Sequence, residues 1–155
     1  MKLAVATIIS GGQTGADRGA LDAAIELSIP HGGRCPKGRK SEDGMIPPRY
    51  KLTEVDSRDY PDRSEANVVE GDGTLICTFG RLSGGSKLTA ELARKHSRPF
   101  LHLDLNAEAT DYAVKTVREW LEEHDIKTLN VAGSRESEAA GLHGAVKDLL
   151  LRVFR

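Results

Sequence analysis

The chain has 155 residues, of which 39% are hydrophobic and 29% charged, with 22 Lys and Arg against 23 Asp and Glu. This length fits one domain, expected over residues 1–155, and the balanced charge gives no sign of a nucleic-acid-binding surface. Two cysteines without a CxxC pair exclude a disulfide framework and a zinc motif of that type. No stretch is apolar over the length that a membrane span needs, so we expect a cytoplasmic protein with no membrane partner.

The hydrophobic pattern predicts alternating strands and helices. Residues 5–10 form an apolar run typical of a strand buried on both faces, and a helix is expected from Ala16 to Leu27. Residues 29–57 hold four of the six prolines and leave room for two short strands, near 31–35 and 51–55. The further expected elements are helices over 63–69 and 87–96, strands over 74–79, 99–105 and 127–133, a helix from a cap at Asn106 to 124, and a last helix ending near Phe154. This order predicts an α/β three-layer sandwich with a mostly parallel sheet.

Three loops of small residues each follow a predicted strand and precede a helix. They read SGGQTGAD (residues 10–17), GRLSGGSKLT (80–89) and GSRES (133–137). In a parallel sheet these loops lie at the carboxyl edge, where ligands bind and where helix N-termini direct free N–H groups. Cations at Arg34, Lys37, Arg39 and Lys40 occupy the region where an NAD site would carry an acid. The pattern therefore predicts a cleft for a small anionic ligand rather than for NAD.

Each loop also has a purely structural explanation. Glycines tighten turns, Thr14-x-x-Asp17 matches a capping box, and Ser86 and Ser134 are suited to cap helices. In the functional alternative, Arg135 donates to an anion, while Asp17 accepts from a ring N–H or orients an arginine. From the residues alone both explanations stay open.

Other chemistry-bearing residues give weaker signals. Cys35 lies among four cations, which would lower its thiol pKa and favour a thiolate, although a lone cysteine is more often unreactive. Cys77 and Trp120 are expected in the core. The five histidines lack metal-ligand spacing and no nucleophile motif occurs, so no catalytic residue and no metal ligand is assigned.

Four segments, taken in order, resemble a known family. They are SGGQTGADRGALDAA, IPHGGRCPKGRKSEDGMIPPRY, DGTLI with GRLSGGSKLT, and LNVAGSRES. Together they resemble the molybdenum carrier family, a circularly permuted YpsA-type branch of the SLOG superfamily, over nearly the whole chain. The resemblance implies a Rossmann-like fold, a homo-oligomer (typically a tetramer), and molybdenum cofactor binding without turnover, with molybdoenzymes as recipients. The PGGxGT motif of the nucleotide-hydrolysing relatives is absent, and the third loop lacks the family's frequent proline at Ser134.

The combined prediction is a binding protein for the molybdenum cofactor or a similar pterin phosphate, and whether the protein is also an enzyme stays open. In this hypothesis helix N-termini take the phosphate, Arg18, Lys37 and Arg135 neutralise charge, and residues 29–57 form a rim or lid. The predicted site comprises Gly11, Gly12, Gln13, Thr14, Gly15, Asp17, Arg18, Lys37, Gly84, Gly85, Ser86, Gly133, Ser134, Arg135 and Glu136. The alternatives are a sensor of nucleotides or ADP-ribose, an N-glycosidic hydrolase using Glu136 or Asp17, and an interaction module.

Overall fold

The structure is a computed structural model that describes residues 3–107 and 109–155. In chain order its elements are β1 (Thr7–Ile9), α1 (Ala16–Leu27), β2 (His31–Gly32), β3 (Arg34–Cys35), a 3-10 turn (Lys37–Arg39), β4 (Lys40–Ser41), β5 (Gly44–Met45), β6 (Thr53–Glu54), α2 (Tyr60–Glu70), β7 (Gly73–Thr78), α3 (Gly84–Lys95), β8 (Phe100–Asp104), α4 (Thr110–Glu123), β9 (Thr128–Gly133) and α5 (Leu142–Phe154).

Five strands form one sheet in the order β2-β1-β9-β7-β8, and every neighbouring pair is parallel. The two central strands, β7 and β9, are almost wholly buried, as their apolar sequences predict. On one side α5 packs between α1 and α4, whereas α2 and α3 pack against each other and against β9. This arrangement confirms the predicted α/β sandwich with a Rossmann-like parallel sheet.

The main core lies between the sheet and the layer of α1, α4 and α5. Small residues on α1 let α5 approach closely: a Cβ at Gly19 would lie only 2.5 Å from the His143 carbonyl oxygen. Trp120 and Cys77 are buried in this core, which confirms their predicted roles. Among the described residues, no helix is both long and apolar enough to cross a membrane.

Four helices begin at places that differ from the prediction, and the first of them, α2, begins at Tyr60 rather than at residue 63. Helix α3 begins at Gly84, so its two glycines belong to the helix rather than to the preceding loop. Helix α4 begins at Thr110, and Asn106 does not cap it; the Asn106 N–H donates to Asp104 instead. The last helix begins at Leu142, so Ser134 is not its cap.

Residues 29–57, the tethered segment, build a small second core against α1. Cys35, Ile46 and Tyr50 are fully buried there with Leu21, and Leu52 packs beside them. The two short strands expected here appear as several two-residue strands, including a parallel pair of β3 with β6. Burial raises the pKa of the Cys35 thiol and outweighs the opposing effects of Arg39 and Arg63. Of the two alternatives for Cys35, the thiolate is therefore wrong, because sequence neighbours do not reveal desolvation.

Candidate functional site

A cleft of about 460 Å³ opens at the carboxyl ends of β7 and β9. Its walls come from α2, from the loop after β7 with the start of α3, and from the loop after β9, while Gln13 and Asp17 contribute from the loop after β1. The predicted convergence of three loops is thus present. The cleft volume lies within the range of small-molecule sites.

The cleft also lies where the chain reverses direction across the sheet. From β7 the chain proceeds to β8 on one side, and then crosses to β9 on the other side of β7. Helices leave neighbouring strands in opposite directions at such a switch point, which leaves a crevice between the loops. The sheet order therefore accounts for the position of the cleft.

Several loop glycines are required by packing. A Cβ at Gly15 would overlap the Ser134 carbonyl oxygen and would lie 2.7 Å from the Glu136 nitrogen. A Cβ at Gly133 would overlap the Cys77 carbonyl oxygen, and one at Gly12 would lie 2.6 Å from Leu52 Cδ1. These three glycines let the first loop approach the third loop and the tethered segment closely. Close packing alone explains why these three positions are glycine.

Gly84 and Gly85 differ from those glycines. Both line the cleft in the first turn of α3, and a Cβ at either would meet no other atom within 4 Å among the described residues. Ser86 Oγ accepts the Ser83 N–H at 3.0 Å and donates to the Ser83 carbonyl at 2.8 Å, so Ser86 stabilises the start of the helix. The open backbone of the two glycines at a helix N-terminus suits an anionic group.

Asp17 lies at the floor of the cleft and is 3% exposed. Its Oδ2 accepts the Gln13 N–H at 3.1 Å and lies 3.5 Å from Arg63 Nη1. Burial raises the pKa of the Asp17 carboxyl, and Arg63 opposes this shift only in part. The predicted capping box was wrong, because the Thr14 hydroxyl bonds Glu42 and accepts the Glu136 N–H instead.

Arg63 is a cleft residue that the sequence analysis missed. Its side chain is 12% exposed and runs against Gly11, where a Cβ would lie 2.7 Å from its Cδ. The Nε of Arg63 and the Oε1 of Gln13 are buried and have no hydrogen-bond partner in the described part of the chain. Nothing in the sequence distinguishes this arginine from a solvated one on a polar helix. Buried polar atoms without partners are rare and call for a ligand or ordered water.

Two further arginines lie at the rim of the cleft. Arg81, which the sequence analysis did not single out, and Arg135 both line it. Arg135 is half-exposed, and its Nε lies 3.3 Å from Glu138 Oε1. Because that ion pair is exposed to solvent, it is worth little and leaves the guanidinium able to turn toward a ligand. Gly133 and Ser134 also line this wall.

Other predicted site residues lie outside the walls of the cleft. Arg18 is 9% exposed and donates to both Asp43 oxygens at 2.6 and 2.8 Å, to Ser41 and to the Gly12 carbonyl. Lys37 is exposed, with its Nζ 3.4 Å from Asp56. No described residue of the tethered segment lines the cleft, which is walled by α2 on that side.

Glu136 has a structural role at the start of α5. Its two carboxylate oxygens accept the N–H groups of Gly141 at 2.7 Å and His143 at 3.0 Å. These are two of the N–H groups that a helix N-terminus leaves free. Both oxygens of the Glu136 carboxylate are therefore used in capping α5, whereas a general acid or base must be free to exchange a proton with the ligand.

The site offers no protein ligands for a metal. Within residues 3–107 and 109–155, no group of three or more His, Cys, Asp and Glu side chains could hold a metal ion. Cys35 and Cys77 are both buried and neither lines the cleft.

Comparisons with known proteins agree with this picture. The circularly permutated YpsA SLOG family matches residues 8–154, so the chain belongs to that family. A crystal structure of a "Putative molybdenum carrier protein" from Syntrophus aciditrophicus superposes with a TM-score of 0.96 and is 46% identical, covering 99% of this chain and 97% of the other. No curated protein gives a significant match.

The strand order shows the permutation directly. Numbered from β7 to the end of the chain and on through β1 and β2, the five sheet strands lie in the spatial order 2-1-3-4-5. This is the order of flavodoxin-like sheets, whose ligand site lies between strands 1 and 3. Those strands are β7 and β9, which flank the cleft.

Proposed function

We propose that this protein binds a small phosphorylated ligand in the cleft, with the molybdenum cofactor as the leading candidate, and holds it without turnover. The observation that carries the proposal is the pair of buried, unpartnered polar atoms, Gln13 Oε1 and Arg63 Nε, on residues that line an open cleft. The name of the Syntrophus protein supports the choice of ligand.

The anionic end of the ligand fits the first turn of α3. Gly84 and Gly85 leave their backbone open to the cleft, and Arg81 and Arg135 add positive charge at the rim. Backbone N–H groups at a helix N-terminus and arginine side chains are the groups that bind phosphate. The polar ring of the ligand then lies toward Gln13 and Asp17.

Anaerobic calorimetric titration with the molybdenum cofactor tests this function. We expect saturable binding that Arg135→Ala weakens about tenfold, because a charge-assisted hydrogen bond to phosphate is lost. Lys37→Ala removes an exposed cation outside the cleft and is the matched control, with unchanged affinity expected. Equal loss in both variants would show attraction by overall charge rather than a defined site, and absence of binding would contradict the proposal.

A nucleotide or ADP-ribose is the second candidate ligand. The switch-point position of the cleft favours it, since doubly wound sheets bind nucleotides there. Of the two acids predicted for hydrolysis of an N-glycosidic bond, Asp17 is the one that remains available, because Glu136 is occupied in capping α5. Incubation with a panel of nucleoside monophosphates measures this: release of free base that Asp17→Asn abolishes would replace the carrier by a hydrolase.

We further propose the assembly and setting that the family resemblance implies: a homo-oligomer, typically a tetramer, that acts in the cytoplasm and delivers to molybdoenzymes. Light scattering after gel filtration measures the oligomer. Transfer of bound cofactor to an apo-molybdoenzyme measures delivery. A monomer that never transfers its ligand would contradict both.

A further inference from the structure

The side-chain amide of Gln13 is fixed in one orientation. Its Nε2 donates to the Lys40 carbonyl oxygen at 2.8 Å. A carbonyl can only accept, so the amide cannot turn over without placing two acceptors against each other. Gln13 is 3% exposed, and its Oε1 is therefore held as a buried acceptor without a donor in the described part of the chain.

Asp17 places a second acceptor beside Gln13. The Gln13 backbone N–H bonds Asp17 Oδ2, so the two residues are joined at the floor of the cleft. A carboxylate accepts through two oxygens with about four lone-pair sites, and Asp17 is contacted by the Gln13 N–H, by Arg63 and by the Ser10 side chain. Capacity for further N–H donors remains on this side chain.

Gln13 and Asp17 are in direct contact through the Gln13 backbone N–H, and both line the cleft. Acceptors on two contacting residues favour a ligand that carries two neighbouring donors. An ionised phosphate has no donor to offer, whereas vicinal sugar hydroxyls and a ring N–H beside an exocyclic amino group both offer two. The 2-amino-4-oxopyrimidine ring presents those two donors together, and its oxo group is an acceptor for a donor such as Arg63, which lies beside Asp17. Adenine presents an amino group next to a ring acceptor, which would face Asp17 or Gln13 unpaired.

We infer that Gln13 Oε1 and Asp17 form an acceptor pair that selects ligands bearing a 2-amino-4-oxopyrimidine edge, the chemistry shared by pterins and guanine, and rejects adenine. This inference rests on the proposed function, because it names the ligand class of the same cleft. It separates pterins and guanine nucleotides from ADP-ribose and the other adenine ligands among the candidates.

Titration with GMP, IMP and AMP tests the inference with ribose and phosphate held constant. IMP lacks only the 2-amino donor, and we expect about tenfold weaker binding than for GMP. AMP leaves a buried acceptor opposite another acceptor, and we expect a loss of about a hundredfold or more. Competition by 6-hydroxymethylpterin against GMP then tells whether the pterin and guanine sources share the site.

The Asp17→Asn variant tests the inference through a predicted gain of affinity for a different nucleotide. The Asn side chain keeps one acceptor and replaces the other by a donor, which matches the 2-oxo group of XMP. We expect GMP affinity to fall about tenfold and XMP affinity to rise by a similar factor. Gln13→Met, which removes the acceptor and keeps the side-chain length, is the second variant, and it should lower GMP affinity without a gain for XMP.

The outcomes separate the two proposals. AMP that binds as tightly as GMP, or an Asp17→Asn variant with unchanged preference, overturns the acceptor pair while phosphate-ligand binding stands. Failure of the molybdenum cofactor and all the nucleotides to bind overturns both. Circular dichroism of each variant confirms that it is folded before its affinity is compared.

Discussion

Two polar regions adjoin the loop after β1, and they differ in how their polar groups are satisfied. In the tethered segment, Arg39 donates to the carbonyls of Ile46, Pro47 and Tyr50, and Arg18 of α1 is bonded to Asp43 and Ser41. In the cleft, Arg63 and Gln13 keep buried atoms without partners in the described chain. Satisfied polar groups stabilise the fold, whereas buried polar atoms without partners call for a ligand or an ordered water.

Arg18 and Arg63 both lie beside the first loop, and they differ in the same way: all three guanidinium nitrogens of Arg18 donate to protein groups, whereas the Arg63 Nε has no partner among the described residues. Arg18 follows directly after the glycines and was the natural candidate for an anion contact. Its guanidinium donates four hydrogen bonds, to Asp43, Ser41 and Gly12, all of them protein groups. Arg63 lies far along the chain and yet lines the cleft. Proximity in sequence to a glycine loop is therefore a poor guide to which cation serves the site.

The largest effect is expected from a glycine that packing requires. Gly133→Ala places a Cβ on the Cys77 carbonyl oxygen and 2.7 Å from the Ala16 Cβ, and neither can yield without moving a central strand or α1. We expect the free energy of unfolding to fall by about 3 kcal/mol, as measured by urea denaturation. A variant as stable as the wild type would mean that Gly133 does not pack this closely against Cys77 and Ala16.

Removal of the Arg18 contacts should come next. Arg18→Met keeps the length of the side chain but leaves the Gly12 carbonyl and Ser41 without a donor. We expect a loss of about 2 kcal/mol in the free energy of unfolding, while ligand affinity of the folded protein is unchanged. Lys37→Met, at an exposed position, should change stability by less than about 0.5 kcal/mol. A selective loss of affinity in Arg18→Met would return this residue to the binding site.

The sequence predicts the fold well because the relevant signals are local. Apolar runs mark β7 and β9, and the α1 bounds agree with the predicted Ala16–Leu27. The edge at which the loops meet follows from parallel strands alone. The partners of individual polar side chains do not follow, since they depend on contacts distant in sequence. Glu136 caps α5, Cys35 is buried among cations, and Arg63 reaches the cleft for reasons visible only in three dimensions.

The contributions of Asp43, in the tethered segment, and of Asp17, in the cleft, to the free energy of unfolding should change with pH in opposite directions. Hydrogen bonds from Arg18, and then from Ser41, hold the pKa of Asp43 well below its usual range. Its contribution to stability is present above about pH 4 and is lost as the pH falls further. Burial raises the pKa of Asp17, so its contribution is present below about pH 4 and is lost as the pH rises through the raised value.

Urea denaturation between pH 3 and 7 measures how the free energy of unfolding changes with pH in the wild type and in each variant. Asp43→Asn should flatten the loss of stability on the acid side, by at most about 1 kcal/mol because Asp43 is half-exposed. Asp17→Asn should become more stable relative to the wild type as the pH rises from 4 to 7. If the two variants changed the pH dependence of stability in the same direction, the distinction between a half-exposed, hydrogen-bonded carboxylate and a buried one would be contradicted.

The smallest change in stability, and the sharpest contrast with Gly133, is expected at Gly85. A Cβ there meets no other atom within 4 Å in the described residues, and Gly85 lies inside α3, where alanine is favoured by up to about 1 kcal/mol. Gly85→Ala should therefore leave stability unchanged or slightly raised. The same methyl group projects into the space where an anion would approach the first turn of α3, so ligand affinity should fall about tenfold. Calorimetric titration beside urea denaturation measures both quantities on one sample. Unchanged affinity would remove the start of α3 from the binding site, because only a ligand in that space has reason to reject a methyl group that the protein accepts.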